Sequence, residues 1–175
     1  MKLKEFQQLD IFDKIVFVGD SQVEFLKASY SDFVFVNLGI SGERIEGLCL
    51  RLPTILLEKP KEIILLIGLN DILANKSICQ IAHSFIKLFK ILNENQVTYR
   101  IVEILPVGLS LNDHNKRIKT INAVLYSLTN SVNIISLTES EFFSEEMFLD
   151  SKFSNDGIHL NKTGYNLLVN YIMRY

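Results

Sequence analysis

The chain has 175 residues, 48% hydrophobic and 22% charged, which suits one domain of residues 1–175 with a single sizeable core. Eighteen Lys and Arg against twenty Asp and Glu leave a net charge of −2, so no basic excess points to nucleic acid. The longest unbroken apolar run, Ile63 to Ile67, is far below the ~18 residues a membrane span needs.

The first segment, Met1 to Lys14, is interrupted by Glu5, Asp10 and Asp13 and has no apolar stretch of signal-peptide type, so a cytoplasmic location is expected. Lys14–Gly19 (KIVFVG) is a short apolar run that ends in glycine, and Phe33–Gly39 (FVFVNLG) is another. Ile45, Leu48, Cys49, Leu52 and Leu56 then fall on one face at helical spacing, with Pro53 expected to kink or divide that helix. Glu62–Gly68 (EIILLIG) is the strongest apolar run. A second helical stripe follows at Ile78, Ile81, Ala82, Phe85, Phe89 and Leu92. Next come the run Arg100–Pro106, a stripe at Ile118, Ile121, Val124 and Leu128, and the run Val132–Leu137. Phe142, Phe143, Met147, Phe148 and Phe153 form an aromatic cluster, expected to be a local core under a loop. A last stripe, Tyr165, Leu168, Val169 and Ile172, closes the chain. Runs that are apolar throughout suit strands buried on both faces. Their alternation with amphipathic helices predicts an α/β sandwich with a mostly parallel sheet. Cys49 and Cys79 make no C-x-x-C pair and are expected to be buried, reduced thiols.

Ligands of such sheets sit beyond the carboxyl ends of the strands. Polar residues and glycines recur there: Gly19-Asp20-Ser21, Asn37 to Gly42, Gly68 to Asp71, and Asp156 to Leu160. Ser21 stands where the first strand turns into a helix, and a serine is a weak nucleophile unless a base takes its proton. His159 is the candidate base. Asp156, three residues earlier, can accept Nδ1–H, hold the tautomer and stabilise the imidazolium. The side-chain amide of Asn70, with the backbone N–H groups of Ser21 and Gly42, can form an oxyanion hole. Asp20 and Asn37 are expected to brace the strand ends by hydrogen bonds, and Gly39 to serve a tight turn. His83 and His114 have no partner pattern; no metal spacing such as H-E-x-x-H occurs.

These blocks resemble those of the SGNH hydrolases, also called GDSL-type esterases and lipases. The family's G-D-S is matched by Gly19-Asp20-Ser21, its oxyanion glycine by Gly42, its G-x-N-D by Gly68 to Asp71, and its D-x-x-H by Asp156 and His159. Arg51-Leu52-Pro53 also resembles the bacterial branch of small lysophospholipases, thioesterases and arylesterases. Gln22 stands where many members carry Leu or Ile. The resemblance implies a flavodoxin-like, three-layer fold with five parallel strands in order 2-1-3-4-5. It also implies ester hydrolysis through an acyl-serine, without metal or cofactor, on a small-molecule ester. The expected substrates are small or short-chain esters, since the chain has no large insertion that could form a lid. The alternatives are an acyltransferase using the same residues and a non-catalytic flavodoxin-like binding module. The second lacks a phosphate loop, because neither G-x-x-x-x-G-K-[ST] nor G-x-G-x-x-G occurs. G-x-S-x-G, the mark of another hydrolase fold, is also absent.

Overall fold

The structure is a computed structural model that describes residues 10–27, 30, 34–137, 140–143 and 148–174. Phe33 and Met147, assigned above to a strand and to the aromatic cluster, lie outside the described residues. Five strands, β1 (Ile15–Gly19), β2 (Val36–Gly39), β3 (Glu62–Leu66), β4 (Tyr99–Val102) and β5 (Ile134–Ile135), form one sheet in order β2-β1-β3-β4-β5. Every pairing is parallel. The helices are α1 (Ser21–Glu24), α2 (Ile45–Leu57), α3 (Leu69–Leu73), α4 (Ile78–Glu94), α5 (Asn115–Leu128) and α6 (Lys162–Ile172).

Period-2 alternation sends each strand's side chains to opposite faces of the sheet. Val16, Val18, Ile63, Leu65, Ile101 and Ile134 enter one core, against α2, α4 and α5. Phe17, Ile64, Leu66, Val102 and Ile135 enter the other, against α1 and α6. The apolar runs of the sequence follow from this burial on both faces. The aromatic cluster belongs to the second core: Phe142 and Phe153 are buried and meet edge to face, with ring centroids 5.4 Å apart. A capping box starts α4, where Gln80 N–H donates to Ser77 Oγ and Ser77 N–H donates to Gln80 Oε1.

Some expectations are corrected. The strands are shorter than the apolar runs, because residues past the ladder, such as Ile67 and Ile104, are buried in the turns that lead to the site. Helix α2 is not divided at Pro53 but runs through it from Ile45 to Leu57. Cys79 is exposed and Cys49 half-buried, and both are free thiols.

Register sets the functional edge. Gly19 lies level with Gly39 on one side and with Leu66 on the other. Three strands therefore release the chain at the same height, at the point where the strand order reverses between β1 and β3. No helix of the described residues is long and apolar enough to cross a membrane.

Candidate active site

The site begins where β1 ends. A Cβ on Gly19 would lie 1.9 Å from the carbonyl oxygen of Leu66, so only glycine lets β1 pass β3 so closely. Asp20 caps α1, its Oδ1 accepting the Gln22 N–H at 3.0 Å. This leaves Ser21, the first residue of α1, free of the capping role. Because α1 is a single turn, the helix dipole has little weight at Ser21.

Ser21 Oγ lies 3.0 Å from His159 Nε2, and His159 Nδ1 lies 2.7 Å from Asp156 Oδ2. The chain brings these residues together across 138 positions. Asp156 Oδ1 also accepts the backbone N–H groups of Ile158 at 2.8 Å and His159 at 2.7 Å. Burial pushes the Asp156 carboxyl up, but the His159 ring and these two N–H groups outweigh it and bring it down to about 2. The loop that holds the pair is anchored through its backbone. Ser154 Oγ accepts the Gly157 N–H at 2.9 Å and donates to the His159 carbonyl at 2.7 Å. The N–H of Gly108, beyond β4, donates to the carbonyl of Gly157 at 2.7 Å. Gln22 Nε2 donates to the Ile158 carbonyl at 2.6 Å, which ties α1 to the histidine loop.

The candidate oxyanion donors Asn70 and Gly42 lie beyond the carboxyl ends of β3 and β2. Asn70 sits in α3 directly beyond β3, and its Nδ2 donates to the Glu43 carbonyl at 3.1 Å and to Asp20 Oδ2 at 3.3 Å. Gly42 precedes Glu43 in the exposed loop after β2, with φ of +75°, a conformation L side chains rarely adopt. Asp71 is fully buried; its Oδ2 accepts the Ile45 N–H at 3.1 Å, and Lys76 Nζ lies 2.9 Å from its Oδ1. Burial raises the Asp20 carboxyl to about 6, offset in part by the Gln22 N–H and helped by the nearby Glu43 charge. Asn37 braces the neighbouring strand end as expected, with Nδ2 donating to the carbonyls of Val23 and Leu26.

Sequence reasoning missed several groups. The exposed ring of Phe25 leans against His159, centroid to centroid 5.1 Å. Arg51 pairs with Glu43, the residue whose carbonyl holds Asn70. Gln22, noted only for standing where many family members carry Leu or Ile, is a loop anchor. His83 is exposed and His114 half-buried, and neither lies in this line. A small cavity lies at the carboxyl ends of β3 and β4, lined by Leu66, Val102, Glu103 and Leu105 and by both sequence neighbours of Ser21.

A parallel sheet that carries a Ser–His–Asp line and polar loops at its carboxyl edge has the build of an ester-cleaving hydrolase. The sequence model of the GDSL-like lipase/acylhydrolase family matches residues 18–167, and the chain belongs to that family. N-acylneuraminate cytidylyltransferase from Streptococcus agalactiae is 26% identical over 153 residues, covering 87% of this chain and 36% of that protein. The chain thus spans about a third of the length of the curated relatives it matches. Among solved structures, a GDSL-like lipase from Bacteroides thetaiotaomicron superposes with a TM-score of 0.80 at 19% identity, covering 93% of this chain and 86% of that one. The acetylxylan esterase Axe2 from Geobacillus stearothermophilus gives 0.73 at 16% identity, covering 95% of each chain. At these identities the two structures establish a shared fold.

Proposed function

We propose that the protein is a serine esterase that removes a short acyl group, such as acetyl, from a carbohydrate through an acyl-serine intermediate. The observation that carries this reading is the unbroken line Ser21 Oγ–His159 Nε2 at 3.0 Å and His159 Nδ1–Asp156 Oδ2 at 2.7 Å. Ser21 Oγ attacks the ester carbonyl carbon while its proton passes to His159 Nε2. Negative charge gathers on the carbonyl oxygen and meets the N–H groups of Ser21, Gly42 and Asn70. One such donor is typically worth ~3–4 kcal/mol of barrier. Of the two Asn70 contacts, the 3.3 Å one to Asp20 is the weaker, so that N–H is the one redirected to the oxyanion. Collapse breaks the ester C–O bond, and His159 returns the proton to the departing alcohol. Water then repeats the sequence on the acyl-serine. Asp156, held at about 2, stays ionised throughout and orients the imidazole.

The substrate class is supported by the names of two relatives, one after N-acylneuraminate and one after acetylxylan, which both refer to acylated carbohydrates. The test is hydrolysis of p-nitrophenyl esters from acetyl to octanoyl, followed by acetate release from O-acetylated sugars. We expect acetyl to be preferred, and Ser21→Ala to lose at least ~10³-fold in kcat. A steep preference for octanoyl would overturn the acyl assignment, and full activity in Ser21→Ala would overturn the mechanism.

A further inference from the structure

We propose that Arg51 is a positioning residue for ester hydrolysis: through Glu43 it clamps the loop that carries Gly42 and the carbonyl that holds Asn70. The inference rests on the reading of Gly42 and Asn70 as oxyanion donors. Residues 40–44 join β2 to α2, and Ile40, Ser41 and Gly42 are exposed. An exposed loop containing a glycine has little reason of its own to hold one conformation. The guanidinium of Arg51 supplies that reason. Reaching back from the second turn of α2, its Nε donates to Glu43 Oε1 at 2.6 Å and its Nη2 to Glu43 Oε2 at 2.5 Å. The same Nη2 donates to the Leu38 carbonyl at 2.8 Å. One planar group therefore grips β2 just before the loop and Glu43 just after Gly42.

The consequence for chemistry runs through a single residue. The Glu43 side chain is fixed by the fork, and its backbone carbonyl accepts Asn70 Nδ2 at 3.1 Å. The same anchor holds the Glu43 carbonyl that positions Asn70 and fixes the carboxyl side of Gly42, whose own N–H lies in the preceding Ser41–Gly42 peptide. The far side of the loop is tied by Glu24, whose Oε2 accepts the Ser41 N–H at 2.7 Å and the Ser41 hydroxyl. Both partners of the Arg51–Glu43 pair are withdrawn from water, with side-chain exposures of 14% and 7%. A bidentate pair in that setting has fixed geometry as well as charge. Lysine, a point charge on a flexible stem, cannot reproduce three directed donors.

The test separates positioning from plain stability. The variants are Arg51→Met, Arg51→Lys, Glu43→Gln and the double Glu43→Gln/Arg51→Met. For each, kcat and KM on p-nitrophenyl acetate, inhibition by phenylboronic acid, and the thermal midpoint are measured, with assays held well below that midpoint. The boronic acid adds to Ser21 Oγ, the serine proton passes to His159, and a boron-bound oxygen occupies the oxyanion position. We expect Arg51→Met to lose about 10- to 100-fold in kcat, as a misplaced oxyanion donor would cause. Its KM should stay within about two-fold, and its affinity for the boronic acid should fall in parallel with kcat. The double variant should be no worse than Arg51→Met, because the two residues act as one unit. If Arg51→Met does not fold, Arg51→Lys and Glu43→Gln carry the test with smaller losses of the same pattern. Folded variants with lower midpoints but wild-type kcat and boronate affinity would overturn the clamp. A wild type that the boronic acid does not inhibit, with a fully active Ser21→Ala, would instead overturn the serine reading beneath it.

Discussion

Asp20 and Asp156 are two carboxylates of one site in opposite environments. Asp156 is exposed, accepts three hydrogen bonds at 2.7–2.8 Å, and is drawn down to about 2. Asp20 is 2% exposed, and burial holds it at about 6. A carboxyl whose folded pKa lies above its unfolded value binds its proton more tightly in the folded state. Its stabilising contribution is present below about pH 4 and is lost as pH rises through 6. The difference between 3.8 and about 6 corresponds to about 3 kcal/mol, at ~1.4 kcal/mol per pH unit. Asp20→Asn removes this dependence, although its amide now faces the Asn70 amide and loses the 3.3 Å contact. Urea unfolding of both proteins at pH 4, 5, 6 and 7 checks the sign. Stability of wild type relative to Asp20→Asn should fall across that window, and parallel profiles would count against the assignment.

At the scale of elements, backbone-to-backbone approaches decide where the site residues end up. The loop beyond β4 meets the histidine loop at two glycines. A Cβ on Gly108 would lie 2.8 Å from Gly157 Cα, and Gly157 itself has φ of +76°. Gly108→Ala should therefore push the Asp156–His159 loop outward and cost about 100-fold in kcat, the scale of a 1 Å misplacement. Gly47 supplies the contrast. It lies exposed in α2, where a Cβ would meet only the Glu43 side chain at 3.5 Å or more. Gly47→Ala should raise stability by about 0.5–1 kcal/mol and leave kcat unchanged. Kinetics and a melting curve on the two variants check both. The same elements show what a sequence can display. Ser21, Asn70, Asp156 and His159 were legible because each follows a strand or a turn directly, so local order stands in for spatial order. Gly39 was read as a turn glycine, but its reason is non-local: a Cβ there would lie 2.1 Å from the Glu24 nitrogen. Arg51 and Glu43, eight residues apart, would stand about 12 Å from each other along a continuous helix, and their ion pair exists only because Glu43 lies in the loop that folds back on α2. The one-turn helix α3 was equally invisible, since five residues carry no helical period.

The whole molecule raises the question of how two cores on opposite faces of a sheet behave as one. Leu48 and Tyr99 belong to the core under α2, α4 and α5; Leu168 and Tyr165 belong to the core under α1 and α6. Neighbouring residues of one strand enter different cores, as Val16, Phe17 and Val18 do in β1. Losing either core strips one face of every strand, and a parallel sheet needs both faces covered. The two cores should therefore melt together, which is the thermodynamic content of reading the chain as one domain. Leu48→Ala and Leu168→Ala, both at fully buried positions, should each cost about 2–5 kcal/mol. The sequence has no Trp and six Tyr, so Tyr99→Trp and Tyr165→Trp, made one at a time, give each side its own reporter. Each variant should shift one common transition, seen alike by far-ultraviolet circular dichroism and by the fluorescence of either tryptophan. If Leu48→Ala displaced the signal of its own core while that of the other stayed in place, the sheet would not be coupling them. The edge that holds Ser21, Asn70 and His159 draws on both faces, so it would then lose its rigid support before the chain unfolds.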